Sequence, residues 1–339
     1  MKKKKKKVVL EKLSDEQLLQ LKIRDLGLAI HGSPLEPMIQ KLYGELDDKG
    51  IKLHPPCYLA DEWLCPDKQP IIGIPFVLAN QRLRKLEQKM MFEVEGASEN
   101  ACMRLLRHEA GHALNYAYKL YRKTRWRQLF GSFNSRYSTS YYCQPYSKRF
   151  VVNLEDNYAQ AHPDEDFAET FAVWLNQGID WQKKYNGWPV IKKLKYVDTL
   201  FKKIPDQPLV KAAQQKPPWA ASRMTSTLSA YYERKKRLLG EDFKGFYDDT
   251  LMKLFSPKQI NPNAEKASKI LRHHRLELVN NISKWTGHRK YDIHQLLNKL
   301  IYRCDALKLY AEKKDTIGPA TLIAAIAGNT LRLPKEKIR

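Results

Sequence analysis

Residues 108–112 read His-Glu-Ala-Gly-His and lie in a run whose apolar spacing predicts a helix over Asn100–Lys123. Successive residues of an α-helix turn by about 100°, so side chains four positions apart share one face. His108 and His112 can therefore present two imidazoles to one metal ion, with the Glu109 carboxylate beside them. This spacing constrains the chain strongly, because both histidines need a stable helix and a surface that packs against it.

The residues around the motif favour a metal site over a surface helix that carries two histidines by chance. Ala110 and Gly111 are small, which lets another element approach the metal-binding face closely. Glycine inside a helix costs roughly 1 kcal/mol relative to alanine, so we expect a local reason for Gly111. Apolar residues recur at helical spacing on both sides of the motif: Leu105, Leu106, Ala113, Leu114 and Ala117. Together these features indicate the helix of a zinc hydrolase.

A catalytic zinc ion usually takes three protein ligands and leaves one position open for water, so a further ligand is needed. Residues 162–175 predict a second helix, since Pro163 suits its first position, acids fill its first turn and Gly178 follows its end. Glu165 and Glu169 are four positions apart and share a face. We predict that Glu165 is the third ligand and that Glu169 accepts the free ring N–H of a ligating histidine.

Other assignments of the third ligand stay open at this point. The two glutamates could exchange roles, with Glu169 on the metal. His162 is a further candidate, although a residue before proline at a helix start is more often a cap or turn residue. The acids could also be a solvated first turn that the helix dipole favours. The histidine pair upstream is what makes these carboxylates natural ligands.

The pairing of His-Glu-Ala-Gly-His with the segment Glu-Asp-Phe-Ala-Glu at 165–169 resembles the gluzincin metallopeptidases. Within that group the chain is similar to the catalytic domain of lethal-factor-type toxins. It is more closely similar to a zinc-binding metallopeptidase family of bacteria, which it also resembles around residues 58–63, 74–76 and 107–112. The resemblance covers roughly Leu21–Leu200 and implies a zincin-like core.

Carried over position by position, the resemblance implies His108, His112 and Glu165 as zinc ligands and Glu109 as the general base. In the toxin-type pattern a tyrosine seven residues before the ligand glutamate faces the site, and Tyr158 occupies that position. Its phenol could stabilise the oxyanion of a tetrahedral intermediate by donating a hydrogen bond. A tyrosine in such a segment is ordinarily a packing residue with its hydroxyl in water, and that alternative stays open.

Residues 69–79 are apolar and rich in β-branched side chains, which predicts a strand. Pro75 excludes a central position in a sheet and suits an edge. An edge strand could pair with an extended peptide substrate, giving binding without sequence specificity. An ordinary core strand that ends in a turn fits the same composition.

The formal net charge of +23 is concentrated at the two ends of the 339-residue chain. Residues 2–7 are all lysine and contribute +6, residues 221–339 contribute +12, and the long stretch between them contributes only +5. Such basic ends could bind nucleic acid, an acidic protein or an anionic membrane surface. A lysine run is, however, more often a solvated and disordered tail.

The sequence predicts three parts: a basic disordered tail over 1–7, a metallopeptidase domain over 8–215 and a basic helical C-terminal region over 216–339. For the domain over 8–215 the resemblance implies a zincin-like core with a small sheet and an active-site helix, and so a helix-rich α+β fold class. Residues 205–218 have the composition of a linker. The apolar patterns beyond it predict helices over 228–255, 264–279, 291–311 and 319–331.

The sequence also indicates the cellular compartment and the relation of the protein to membranes. The chain has no run of eighteen apolar residues, so we expect no transmembrane helix. Only three apolar residues follow the initial lysines before an acid, which is too short for a secretory signal. Five scattered cysteines without a CxxC pair are typical of a reduced, cytoplasmic protein.

Two functions fit these observations. The leading interpretation is a cytoplasmic peptidase that uses Zn²⁺ and cleaves a peptide or protein substrate, which the basic ends recruit if it is acidic. The alternative is a zincin-like module that binds nucleic acid or an acidic protein partner, with little or no peptidase activity. Glu109 favours the enzyme, because a purely structural metal site needs no base beside its histidines. A protease that acts on nucleic-acid-bound proteins would join the two.

Overall fold

The structure is a computed structural model. It describes residues 9–91, 93–137, 144, 147–204, 206, 208–210, 217–237, 248–259, 262, 264–286 and 289–311. The predictions of a disordered tail over 1–7 and of a helix over 319–331 lie outside the described residues. Most of the predicted linker over 205–218 also lies outside them.

The chain divides into two compact units. The first comprises Met1–Met90 and Val94–Tyr232, and the second comprises Met91–Glu93 and Glu233–Arg339. The helices of the first unit are α1 (Asp15–Leu19), α2 (Glu36–Asp48), α3 (Gln81–Met91), α4 (Glu99–Ala117), α5 (Thr124–Phe130), α6 (Pro163–Leu175), α7 (Trp181–Lys184) and α8 (Ile191–Phe201). Helix α9 (Leu228–Arg237) begins in the first unit, where Tyr231 packs on Phe76 and donates a hydrogen bond to the carbonyl oxygen of Asp61.

The first unit contains a small parallel sheet of β1 (Cys57–Ala60) and β2 (Ile72–Pro75). Strand β2 is buried at every residue. On the side away from β1, Gly73 exchanges two backbone hydrogen bonds with Leu64. The predicted strand over 69–79 is therefore confirmed only in its middle, since Phe76–Ala79 form a 3₁₀-helix. The proposal of an exposed edge for a peptide substrate is wrong, because both sides of Gly73 are already paired.

Helix α4 is the centre of the first unit. It starts at Ser98, whose hydroxyl caps the helix by accepting a hydrogen bond from the Ala101 N–H. From Leu105 to Ala117 every residue is buried, so neighbouring elements cover the helix on all sides. The helix stops earlier than the predicted Lys123, because Lys119 adopts a left-handed backbone with φ of 50° that cannot continue it.

Helix α6 has the bounds that the sequence predicted, Pro163–Leu175, and it packs along α4. Gly111 is the reason for the close approach of the two helices. A Cβ atom at this position would lie 2.9 Å from Ala168 Cα and 3.1 Å from its carbonyl oxygen, which are backbone atoms that cannot move aside. The expected local reason for a glycine inside α4 is therefore the backbone of α6.

The second unit contains helices α10 (Asp248–Leu254), α11 (Ala267–His273), α12 (Arg275–Thr286) and α13 (Lys290–Ala306). Strands β3 (Glu265–Lys266) and β4 (Tyr310–Ala311) form a short antiparallel pair. The predicted single helix over 264–279 is wrong, because the chain breaks at His274 between α11 and α12. The predicted helix over 291–311 is confirmed as α13, which ends earlier because its last residues form β4.

The fold class over the described residues is helix-rich with small sheets, which is consistent with the predicted α+β class. The core of the first unit is built from large apolar side chains around α4 and α6, among them Trp126, Phe167, Phe171 and Trp174. Among the described helices, none is long and apolar enough to span a bilayer. The four described cysteines, Cys57, Cys65, Cys102 and Cys304, are free thiols.

Candidate metal centre

Helices α4 and α6 run antiparallel at the site, and two histidine–carboxylate contacts show the direction. His108 Nδ1 lies 2.7 Å from Glu169 Oε1, near the middle of α6. His112 Nδ1, one turn further along α4, lies 3.0 Å from Asp164 Oδ2 at the start of α6. The two helices therefore hold both imidazoles by their Nδ1 atoms and leave both Nε2 atoms directed to the space between them.

Three potential ligand atoms converge in that space. His108 Nε2 and His112 Nε2 are 3.1 Å apart, and each lies 3.1 Å from Glu165 Oε2. Zinc binds nitrogen and oxygen at about 2.0–2.1 Å, and tetrahedral angles then separate two ligand atoms by about 3.3 Å. The triangle formed by His108, His112 and Glu165 thus has nearly the size that one zinc ion requires, and these three buried residues form a group that could hold a metal ion.

The hydrogen bonds at Nδ1 explain why a cation fits this triangle. Each Nδ1–H donates to a carboxylate, which leaves a lone pair on each Nε2 if the imidazole is neutral. Two lone pairs and the carboxylate of Glu165 then face one another without a hydrogen between them. A cation at the centre removes this repulsion, so the donor set suits a metal ion that prefers nitrogen and oxygen ligands.

The pKa values of the two histidines show how negative this environment is. Burial lowers the pKa of His108, but hydrogen bonds with Glu165 and Glu169 outweigh it and raise the pKa to about 9. Burial likewise lowers the pKa of His112, but Asp164 and Glu165 raise it well above its usual value. The site therefore attracts positive charge, either as protons on the imidazoles or as a metal ion that displaces those protons.

The carboxylate of Glu169 is fixed by three donors. Besides the contact with His108, its Oε1 accepts a hydrogen bond from Asn153 Nδ2 at 2.8 Å, and its Oε2 accepts one from the Leu154 backbone N–H at 2.7 Å. Such a carboxylate holds the histidine in one tautomer and one orientation. Glu169 thus lies behind His108, and Glu165 lies in the triangle of potential ligand atoms.

Asp164 makes the equivalent contact behind His112, and the sequence analysis did not assign it. Its Oδ2 also accepts from the Tyr116 hydroxyl at 2.6 Å, and its Oδ1 accepts from Asn115 Nδ2 at 2.7 Å. Asp164 is almost fully buried. The only signal in the sequence was the position of Asp164 next to the predicted ligand Glu165, and its contact with His112 depends on the direction and offset of the two helices. Tyr116 and Asn115 carried no such signal.

Glu109 lies on the same helix turn with a carboxylate that no described residue hydrogen-bonds. It is buried, and burial raises its pKa although His108 and His112 lower it. An ionisable group that is buried without a partner is costly, and it is common where a proton has to be accepted and released. Its position beside the two histidines agrees with the role predicted for it.

Two tyrosines face Glu165. Tyr158, in a 3₁₀-helix at Glu155–Gln160, hydrogen-bonds with Glu165, and its ring lies 5.7 Å from that of His108. Burial raises the pKa of the Tyr158 phenol, so it stays protonated. The second tyrosine, Tyr137, has its hydroxyl 3.3 Å from Glu165 Oε1, and sequence reasoning missed it because no spacing connects it to the helices.

His162 is not brought to the triangle. Its Nδ1 accepts a hydrogen bond from the Asp164 backbone N–H, which makes it the N-cap of α6, and its Nε2 lies 2.9 Å from the carbonyl oxygen of Ser135. The ring stacks on Tyr137 with 3.7 Å between centroids. The expectation that this residue is a cap is confirmed, and the alternative of a ligand is wrong, since both ring nitrogens are engaged elsewhere.

Comparison with known proteins gives one positive result. Residues 73–200 match the profile of a family described as "Putative zinc-binding metallo-peptidase". This stretch is less than half of the chain and contains every site residue described above. The resemblance to a zinc-binding metallopeptidase family is confirmed there, and residues 21–72, which the sequence analysis had included, lie outside it. Comparisons with curated proteins and with solved structures found no match.

Proposed function

We propose that the protein is a zinc-dependent peptidase of the gluzincin type, with His108, His112 and Glu165 as ligands and Glu109 as the general base. The observation that carries the proposal is the triangle of three ligand atoms with an unpaired carboxylate beside it. A structural zinc site is closed by four protein ligands, whereas a catalytic site keeps a position open. Three ligands and a free base fit the catalytic type.

The chemistry follows from the residues present. A zinc ion held by His108, His112 and Glu165 would lower the pKa of a water molecule to about 7 and polarise a carbonyl oxygen. Glu109 accepts the proton of the attacking water and later delivers it to the leaving amine. A carboxylate fixed beside the site can take both roles in turn, since general acid–base catalysis needs a positioned group that accepts and releases a proton.

Tyr158 is the proposed donor to the oxyanion. Its phenol is protonated and hydrogen-bonded with Glu165, so it approaches the proposed ligand set from the side of the 3₁₀-helix. A fixed donor in a site of low dielectric stabilises a developing negative charge more than it would in water. The position of Tyr158 seven residues before Glu165 supports a relation to lethal-factor-type catalytic domains, which stays part of the proposal.

The test of this function is Glu109→Gln beside the wild type. We expect the variant to bind zinc with unchanged stoichiometry, because the ligands remain, and to lose peptide hydrolysis by roughly 100-fold or more, the usual contribution of a positioned acid–base group. Both proteins are loaded with one equivalent of zinc and incubated with a peptide library. Cleavage is followed by mass spectrometry, and bound metal is measured by elemental analysis.

Glu95→Gln is the matched control. Glu95 is exposed and close enough to Glu109 to raise its pKa, so the control removes a nearby negative charge without removing the base. It should retain wild-type cleavage. A Glu109→Gln protein that cleaves as fast as the wild type would exclude the mechanism. Loss of cleavage together with loss of zinc would show a damaged site and not a missing base.

A second candidate function is polyanion binding by the basic ends. It is supported by the charge distribution, since residues 2–7 and 221–339 carry most of the excess positive charge. Binding of this type releases counterions, so its affinity falls steeply with salt. Duplex DNA titrated into the full-length protein at 50 and 200 mM salt tests it. Salt-independent binding, or none at the lower salt, would reduce the charge to a solubility feature.

A further inference from the structure

A cavity of 320 Å³ lies where α4 and α8 end, and none of the residues of the metal centre lines it. This volume is in the range of roughly 300–1,000 Å³ that is typical of small-molecule sites. Tyr118 belongs to its wall and lies six residues beyond His112, which is about 9 Å along the axis of α4. The cavity is therefore separate from the candidate metal centre and has to be explained on its own.

Most of the wall is apolar. Leu120, Leu200 and Ile204 line the cavity, and Leu209 lines it with a side chain that is 67% exposed. The neighbouring Val210 N–H donates to the carbonyl oxygen of Ala117 at 2.9 Å, which fixes this segment against the end of α4. An exposed leucine beside an apolar cavity offers surface that the hydrocarbon part of a ligand would cover.

Two tyrosines, Tyr118 and Tyr196, also belong to the wall. Their hydroxyl oxygens are shielded from water, so a ligand in the open cavity does not reach them without a movement of the wall. Burial raises the pKa of Tyr196 to about 12 and also raises the pKa of Tyr118, so both phenols are protonated and add no negative charge to the wall.

The charged residues around the cavity indicate which ligand charge it favours. Lys123 and Lys203 both line the cavity and are exposed to solvent, so they can turn toward a ligand at its mouth. One acid stands near, because Asp206 is close enough to raise the pKa of Tyr118. Asp198 is occupied elsewhere, since it accepts from Trp174 Nε1 and pairs with Lys202. The cations exceed the acids, which favours an anionic ligand.

We propose that this cavity binds a small carboxylic acid with an apolar chain. The chain lies against the leucines and isoleucine, and the carboxylate pairs with the two lysines. Such a ligand matches both the apolar wall of the cavity and its positive mouth. A neutral alcohol of the same length would fill the same volume without pairing with the lysines.

The test compares octanoate with 1-octanol by isothermal titration calorimetry on the zinc-loaded full-length protein. We expect octanoate to bind with a Kd at least tenfold lower than that of 1-octanol. Lys203→Gln should weaken octanoate binding at least fivefold and leave 1-octanol binding unchanged, because only the charge pairing is removed. Both lysines are exposed, so the variant should fold as the wild type does, which circular dichroism checks.

Lys202→Gln is the matched control for the charge itself. Lys202 neighbours Lys203 in sequence but does not line the cavity, since its ammonium pairs with Asp198 at 2.7 Å. It should bind octanoate as the wild type does. The proposal is overturned if octanoate does not bind, if the two probes bind equally, or if Lys202→Gln and Lys203→Gln weaken octanoate to the same extent.

Discussion

The helix pair α4–α6 and the helices α11–α13 bury their contacts in different ways. In the second unit the described core is almost entirely apolar, and its buried polar residues are Ser268 and His294. Between and around α4 and α6, many buried side chains are charged or titratable: Arg107, His108, Glu109, His112, Asp164, Glu165, Asp166 and Glu169. Both regions consist of packed helices, so helix packing by itself does not explain the buried charged and titratable groups around α4 and α6.

The difference shows that the first unit buries charged groups although their burial is unfavourable. Burying a charge is unfavourable unless it is paired, and the buried groups of the first unit are paired in an ordered way. Asp164 and Glu169 each hold one histidine, and Lys193 pairs with Asp166 at 2.6 Å. Glu109 is the exception, because no described residue forms a hydrogen bond with its buried carboxylate.

The largest expected difference between the two regions is in the stability lost when an arginine–carboxylate ion pair is broken. Arg107 and Glu45 form a bidentate pair with side chains 8% exposed, whereas the pair of Arg303 and Asp248 is 29% and 21% exposed. Arg107→Ala should lower the free energy of unfolding by about 3–5 kcal/mol, since a buried charge loses its partner. Arg303→Ala should lower it by about 1 kcal/mol or less.

Hydrogen exchange measures the two effects separately, with amides of α4 reporting on Arg107→Ala and amides of α13 reporting on Arg303→Ala. Equal losses of protection in the two helices would show that burial does not distinguish the regions.

A second comparison concerns two helical glycines. Gly111→Ala should lower the free energy of unfolding by about 1–3 kcal/mol, because the new methyl group meets the backbone of Ala168 and forces α4 and α6 apart. Gly44→Ala in α2 meets nothing within 4 Å and should raise stability by up to about 1 kcal/mol. Urea denaturation of both variants measures the sign. Stabilisation by both would show that the helix contact is looser than described.

The next largest effects are expected for Glu169 and Asp164, the two carboxylates that contact the histidines at Nδ1. Glu169→Gln and Asp164→Asn should each weaken zinc binding roughly 10–100-fold, as loss of an outer partner of a ligating histidine typically does. Glu165→Ala should weaken it more, because it removes a ligand. Competition with a fluorescent zinc chelator gives the affinities.

The control for these carboxylates is Asp166→Asn, which changes an acid of the same helix turn that pairs with a lysine and not with a histidine. It should bind zinc as the wild type does. A greater loss with Glu169→Gln than with Glu165→Ala would exchange the roles of the two glutamates.

The smallest effect is expected at Tyr137. Tyr137→Phe removes a long hydrogen bond to Glu165 and keeps the stacking on His162, so zinc binding should weaken at most about tenfold, the equivalent of about 0.5–1.5 kcal/mol. Tyr121→Phe is the control, since Tyr121 stacks on Phe133 instead. The same chelator competition applies. A Tyr137→Phe variant indistinguishable from this control would assign Tyr137 to packing.

Features of the fold and site that depend on local periodicity could be predicted from the sequence. The HExxH spacing predicts the shared face of His108 and His112, and the capping residues predict the bounds of α6. Asp164 could not be assigned in the same way, because its contact depends on the antiparallel direction and offset of two helices. Tyr137 comes to the site from a loop, and Leu64 closes β2 from a segment with no strand pattern. Such contacts are tertiary and leave no period in the sequence.

The most direct test of the central claim is zinc-edge X-ray absorption of the purified full-length protein. The account predicts one zinc per chain with about four nitrogen or oxygen neighbours at about 2.0–2.1 Å, two of them imidazole, and none of them sulfur. His112→Ala should lose one imidazole contribution or the metal itself. Two results would contradict the site formed by His108, His112 and Glu165. One is a sulfur neighbour at about 2.3 Å from the zinc ion, and the other is a His112→Ala spectrum identical to that of the wild type.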